Sequence, residues 1–168
     1  GDRLDYLVRD AHYTGVSTGV DAGRLITTMS MADKSIVVRQ GGLLAVEALL
    51  TTRSTMYSTV YFHPFVRGAE LMLARAADSA MSLNKFTSLE FTTFTDHQFL
   101  SELNRAGGFS QKTVKDFENR RIVKHAVSIT KDQAEASGLN RSSKEEYENS
   151  IAAKLGLNAS DIYVDLPP

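Results

Sequence analysis

The sequence predicts a mainly α fold with a small α+β C-terminal portion, on three observations. Leu4, Leu7, Val8 and Ala11 fall on one stripe of a helix turning about 100° per residue. Leu43 to Phe62 fits one long helix, which Pro64 must break because proline has no amide for the ladder, and Phe65 to Ala80 is dense in Ala, Leu and Met. Strand-like runs are short and few: Leu25–Met31, Ser35–Arg39, Ile122–Thr130 and Ile162–Leu166. Together these divide the chain into a helical part over residues 1–107 and a smaller α+β part over 108–168, with no flexible linker between them.

The elements follow in order. After the first helix, Gly15 and Gly19 bracket a Ser/Thr loop, and Asp21 caps a short turn into Arg24. Ala32-Asp33-Lys34 joins the first two strands into a hairpin that Gly41-Gly42 ends. Leu43, Leu44, Val46 and Leu49 are the residues the long helix should pack, and Leu71, Met72 and Leu73 offer the next helix a close-packing surface among its alanines. A further helix through Ser101–Arg105 stops at Gly107-Gly108. Ser110 is positioned as the N-cap of a helix through Arg120, and Ser142-Ser143-Lys144-Glu145 as the cap of one ending near Gly156.

Composition narrows the function classes. At 42% hydrophobic and 23% charged residues the 168-residue chain has the balance of a soluble globular protein, and a cytoplasmic location fits. No run approaches the ~18 apolar residues of a membrane span. Zero cysteines exclude disulfides and thiolate metal sites. A net charge of −1 gives no global attraction to nucleic acid or anionic membrane. Neither a Gly-rich phosphate loop nor a serine-nucleophile motif is present.

Two rows of side chains could carry chemistry. Asp2, Tyr6 and Asp10 stand at i, i+4, i+8 on the first helix, flanked by Arg3, Arg9 and Tyr13. Asp2 is a suitable hard ligand for a divalent cation and equally a suitable helix N-cap. Arg53, Tyr57 and Tyr61 repeat the spacing on the long helix, which aligns a guanidinium with two phenols. That row can hold a triphosphate and then stack on or hydrogen-bond a nucleoside, or serve as core or interface. Arg120, Arg121 and Lys124 form the densest basic cluster, which a solvated turn would also explain. His12, His63, His97 and His125 have no metal-site spacing, and none precedes an Asp.

The wording of Asp2-Arg3-Leu4-Asp5-Tyr6-Leu7-Val8-Arg9-Asp10-Ala11-His12-Tyr13-Thr14-Gly15 closely resembles the aspartate helix of HD-domain phosphohydrolases, the dNTP triphosphohydrolase branch nearest. The resemblance continues through Thr51-Thr52-Arg53-Ser54-Thr55-Met56-Tyr57 and Tyr61-Phe62-His63-Pro64. It thins through Phe94-Thr95-Asp96-His97-Gln98-Phe99-Leu100 and Asn119-Arg120-Arg121-Ile122-Val123-Lys124. It implies that residues 1–107 are the C-terminal part of an HD-type helical domain. It also implies hydrolysis of (deoxy)nucleoside triphosphates or another phosphoester with a divalent metal (Mg, Mn, Fe, Ni or Zn). Asp2 would be a metal ligand, Arg3, Tyr6 and Arg53 would meet phosphate, Asp10 the sugar 3′-hydroxyl, and Tyr61 would pack beside the sugar. Arg120 and Lys124 resemble basic residues that hold a regulatory nucleotide in the vertebrate branch, although Pro64 stands where activated relatives carry a basic residue. The His and His-Asp ligands of the family have no counterpart here, so the resemblance places them on an upstream HD half or a separate polypeptide. It further implies a homo-oligomer. The alternative is a non-catalytic nucleotide-binding or oligomerisation module.

Overall fold

The computed structural model describes residues 2–167. Contacts divide the chain into two compact units, Gly1–His63 and Pro64–Pro168.

In the first unit, α1 (Asp2–Thr14) buries Leu7 and Ala11 against Met56 of α3 (Leu43–Met56), with Leu49, Val60, Tyr6 and Tyr61 packed around them. Between these helices run α2 (Ala22–Thr28), β1 (Met29–Ala32) and β2 (Ser35–Val38), followed by a 3₁₀ turn, Gln40–Gly42. The Asp21 carboxylate accepts from the Arg24 amide at 2.8 Å and so starts a helix where a strand was expected. Leu25 to Thr28 are therefore helical, and the strand begins only at Met29. The two strands pair antiparallel, Met29 opposite Val38 and Met31 opposite Ile36. Asp33 and Lys34 both take positive φ, 48° and 63°, as the tightest hairpin turns require. Gly42 is fixed by close approach, since a Cβ there would lie 2.2 Å from Thr28 Oγ1 and 2.5 Å from Val38 Cγ1.

The packing face of α3 differs from the one expected. Its inward stripe is Ala45, Leu49, Thr52 and Met56, spaced four, three and four apart. Leu43 and Leu44 fall off that stripe and stand 55% and 79% exposed, while Val46 is half-buried. After Met56 the helix widens into a π-helical turn, Tyr57–Tyr61.

The second unit is built on α4 (Pro64–Ser82), which starts on Pro64, a position where the missing amide costs no hydrogen bond. Ala76, Ala77 and Ala80 of α4 meet Phe86, Leu103 of α6 (Asp96–Ala106) and Val114 of α7 (Gly108–Glu118) in one core. Phe94, Phe99 and Phe109 pack against it. Short α5 (Ser88–Phe91), α6 and α8 (Lys131–Ala136) each begin with a reciprocal capping box, Thr87/Glu90, Thr95/Gln98 and Thr130/Gln133. α9 (Lys144–Leu155) ends at Gly156 in the left-handed region, and a 3₁₀ turn, Ala159–Asp161, follows.

Three expectations for this unit are corrected. Ser110 is not a cap: α7 begins two residues earlier, and the buried Ser110 hydroxyl donates to the Ala76 carbonyl at 2.8 Å, tying α7 to α4. Residues 122–130 form no strand. Their start crosses α4 at Gly68, where a Cβ would lie 2.9 Å from the Val123 carbonyl, and no neighbouring strand exists in this unit among the described residues. Residues 162–166 are not a strand either, because side chains occupy the backbone groups a ladder would use. Arg75 Nη1 donates to the Ile162 carbonyl at 2.8 Å, and the Val164 amide donates to Glu148 at 2.8 Å. The fold is thus mainly α with a small β part, and among the described residues that β part is the 29–38 hairpin rather than any segment after 108.

Candidate functional site

α1, α3 and the π-helical turn that follows it bring five of the seven site residues into one continuous chain of contacts within the first unit. The Tyr61 hydroxyl donates to Asp10 Oδ2 at 2.8 Å. The Tyr61 ring meets Tyr57 edge-on with centroids 5.1 Å apart, and the Arg53 guanidinium lies 5.0 Å from the Tyr57 centroid. Tyr6 joins from α1, edge-on to Tyr61 at 6.2 Å. The packing of Leu7 and Ala11 on Met56 brings the two helices together, and that presents residues 6 and 10 to residue 61.

Electrostatics at Tyr61 follow from its surroundings. Burial, then the hydrogen bond to Asp10 and the charge of that carboxylate, hold the phenol well above its ordinary value of 10.0, so it stays a donor. Asp10 Oδ1 receives a longer contact from Arg9 Nε at 3.4 Å, while Arg9 Nη1 pairs with Asp5 at 2.7 Å. Arg53 is half-buried with its guanidinium carbon over the Tyr57 ring, a cation–π contact that leaves the donors of its planar fork available to an anion.

Asp2 and Arg3 are exposed on the first turn of α1 and make no hydrogen bond or ion pair among the described residues. Asp2 stands on α1 in one row with Tyr6 and Asp10, with Arg3 beside it. Among the described residues no group of three or more His, Asp or Glu side chains could hold a metal ion, so this chain by itself does not fit a metal centre. One carboxylate with water is too few ligands for a tightly held divalent ion.

Two features escaped sequence reasoning. Phe62 sits beside Tyr57 with ring centroids 5.4 Å apart, a pairing that an α-helical register does not produce. The basic cluster of Arg120, Arg121 and Lys124 lines a cavity of about 450 Å³ in the second unit, which Lys112, Asp116 and Tyr163 also face. Their position on a concave surface depends on the crossing at Gly68, which no local pattern announces.

Residues 20–168 match the HD associated region family. An uncharacterized Bacillus subtilis protein, YwfO, is 44% identical over 84 residues, which are 49% of this chain and 19% of that protein. A Dictyostelium discoideum protein named deoxynucleoside triphosphate triphosphohydrolase SAMHD1 homolog is 28% identical over 140 residues, 76% of this chain and 26% of its own length. The crystal structure of a phosphohydrolase from Bacteroides thetaiotaomicron superposes with a TM-score of 0.62 at 27% identity, covering 95% of this chain and 47% of that one. The chain therefore spans between about a fifth and a half of the length of these relatives. No helix among the described residues is long and apolar enough to cross a membrane. With the match running from the loop after α1 to the C-terminal end, the chain belongs to the HD associated region family of HD-domain proteins.

Proposed function

We propose that this chain supplies the phosphate- and sugar-binding helices of a metal-dependent HD-domain phosphohydrolase acting on (deoxy)nucleoside triphosphates. The observation that carries the reading is the contact chain Arg53–Tyr57–Tyr61–Asp10. It sets a donor fork for phosphate at one end and a carboxylate that can accept a sugar hydroxyl at the other. Arg3 and Tyr6 extend the phosphate end on α1. The names of the Bacteroides phosphohydrolase and the Dictyostelium triphosphohydrolase support the same reaction class.

In this reading Asp2 is one metal ligand, and the remaining ligands come from an HD half that this chain does not provide. This chain binds and orients the substrate. Hydrolysis by the chain alone is accordingly negligible. The HD-type helices run through residue 107 in this proposal, with 108–168 appended to them. Self-association into a homo-oligomer in the cytoplasm belongs to the same reading, supported by exposed Leu43, Leu44 and Leu50 on α3. A second reading, a non-catalytic nucleotide-binding or oligomerisation module, is favoured by the lack of a metal-holding group among the described residues.

Arg53→Ala tests the binding role. Losing one charge-assisted contact costs about 1.5–3 kcal/mol, so triphosphate affinity should fall roughly one to two decades while nucleoside affinity holds. Equal losses for nucleoside and triphosphate would make Arg53 merely structural. In the longer protein, abolished turnover in Asp2→Ala with retained nucleotide binding supports the enzyme over the binding module, and unchanged turnover removes Asp2 as a ligand.

A further inference from the structure

One carboxylate of the site has donors on both of its oxygens. Asp10 Oδ2 accepts from the Tyr61 hydroxyl at 2.8 Å, and Asp10 Oδ1 accepts a longer bond from Arg9 Nε at 3.4 Å. Arg9 is anchored in turn, because its Nη1 pairs with Asp5 Oδ2 at 2.7 Å, one helical turn earlier. The contacts Asp5–Arg9–Asp10–Tyr61 thus join end to end with the row Tyr61–Tyr57–Arg53. Arg9 flanks the Asp2-Tyr6-Asp10 row on α1, where a guanidinium could meet phosphate. Two carboxylates already engage it, and that points to a different task.

We infer that Arg9 is a positioning residue: held by Asp5, it fixes the Asp10 carboxylate in the plane in which that group accepts a sugar hydroxyl. The inference rests on the reading of Asp10 as a sugar contact. A carboxylate turns easily about its last torsion, so a single donor from Tyr61 leaves it free to swing. A second donor on the other oxygen, from its own helix, removes that freedom. The Asp10 side chain remains 31% exposed, open to a ligand. The Arg9 and Asp5 side chains are 55% and 67% exposed, so their pairing adds little to folding stability. Its effect belongs to ligand selection. Hydrogen bonds need direction as well as distance, so a carboxylate free to turn weakens only ligands that carry the hydroxyl. Phosphate held at the Arg53 end is indifferent to the angle of Asp10.

The test is an NMR titration of the full chain and its variants with ATP, 2′,3′-dideoxy-ATP and inorganic tripolyphosphate. Wild-type protein should bind ATP roughly tenfold more tightly than the dideoxy nucleotide, the effect of one hydrogen bond to a charged group. Arg9→Ala should narrow that preference about threefold, within the range for one exposed ion pair, and leave tripolyphosphate unchanged. Arg9→Lys should behave like Arg9→Ala, because a single ammonium cannot bridge both carboxylates as a guanidinium fork does. Full preference in either variant, alongside its loss in Asp10→Ala, would overturn the positioning role and leave the sugar contact standing. Equal losses for all three ligands in Arg9→Ala would make Arg9 a phosphate contact and overturn it too. A wild-type protein that does not distinguish ATP from the dideoxy nucleotide would overturn the sugar contact and the positioning role together.

Discussion

The two units use helices for different ends. In Pro64–Pro168, three alanines of α4 accept Leu103, Val114 and a cluster of phenylalanines, and two arginines then hold the C-terminal segment: Arg67 pairs with both oxygens of Asp165, and Arg75 pairs with buried Glu148. In Gly1–His63 the buried apolar residues are Leu7, Ala11, Leu25, Ala45 and Met56, while Met31, Ile36 and Leu44 stand exposed. This thinly buried unit carries the aromatic and charged row and the irregular turn. Binding elements are commonly drawn from the less stable parts of a protein. Here the difference has a visible source: Tyr6 and Tyr61, which flank the small Leu7–Ala11–Met56 cluster, also form with Tyr57 the row between a guanidinium and a carboxylate.

The strongest way to break the comparison is in the second unit. Leu103 is fully buried, and Leu103→Ala should cost about 3–4 kcal/mol. Urea unfolding that moves by less than about 1 kcal/mol would mean that this core is not where stability resides. Arg75→Ala comes next. It leaves the Glu148 carboxylate buried beside a lost cation 2.7 Å away and removes the donor to Ile162, together with the guanidinium 3.9 Å from the Tyr163 ring. A loss of about 3 kcal/mol is expected, with faster hydrogen exchange at the Val164 amide; protection there equal to wild type would show that Glu148 holds the segment without Arg75.

The smallest effect belongs to the site. Tyr61→Phe removes the hydrogen bond to Asp10 and should cost about 1 kcal/mol. It should also change the alkaline response. The folded phenol keeps its proton to a higher pH than the ordinary value of 10.0, so above that pH the unfolded chain loses protons first. The stabilisation is complete below pH 10 and declines as pH rises toward the folded value, so wild type should lose stability above pH 10 more steeply than Tyr61→Phe. Parallel curves for the two proteins would remove the phenol–carboxylate contact from the account.

What the sequence made legible follows the range of the interactions. α1 could be read because its apolar spacing is local, the long helix and α4 because Pro64 divides two stretches of helix-forming residues, and the hairpin because Asp33 and Lys34 fit its turn. The rows Asp2-Tyr6-Asp10 and Arg53-Tyr57-Tyr61 were visible for the same reason, but the bond that joins them crosses between helices. Residues 162–166 have strand composition, and only the arginine of α4 and the glutamate of α9, both far away in sequence, turn them into a side-chain-held segment. The contact of Phe62 with Tyr57 depends on the π turn, a departure from α-helical geometry that the local sequence does not announce.

Phosphate binding by the α1–α3 row can be read by mapping tripolyphosphate-induced backbone amide shifts across the whole chain. Saturable shifts are expected at Arg3, Tyr6, Asp10, Arg53, Tyr57 and Tyr61, and Arg53→Ala should diminish them. Shifts confined to Lys112, Arg120, Arg121 and Lys124 around the second unit's cavity, with α1 and α3 silent, would contradict binding at that row.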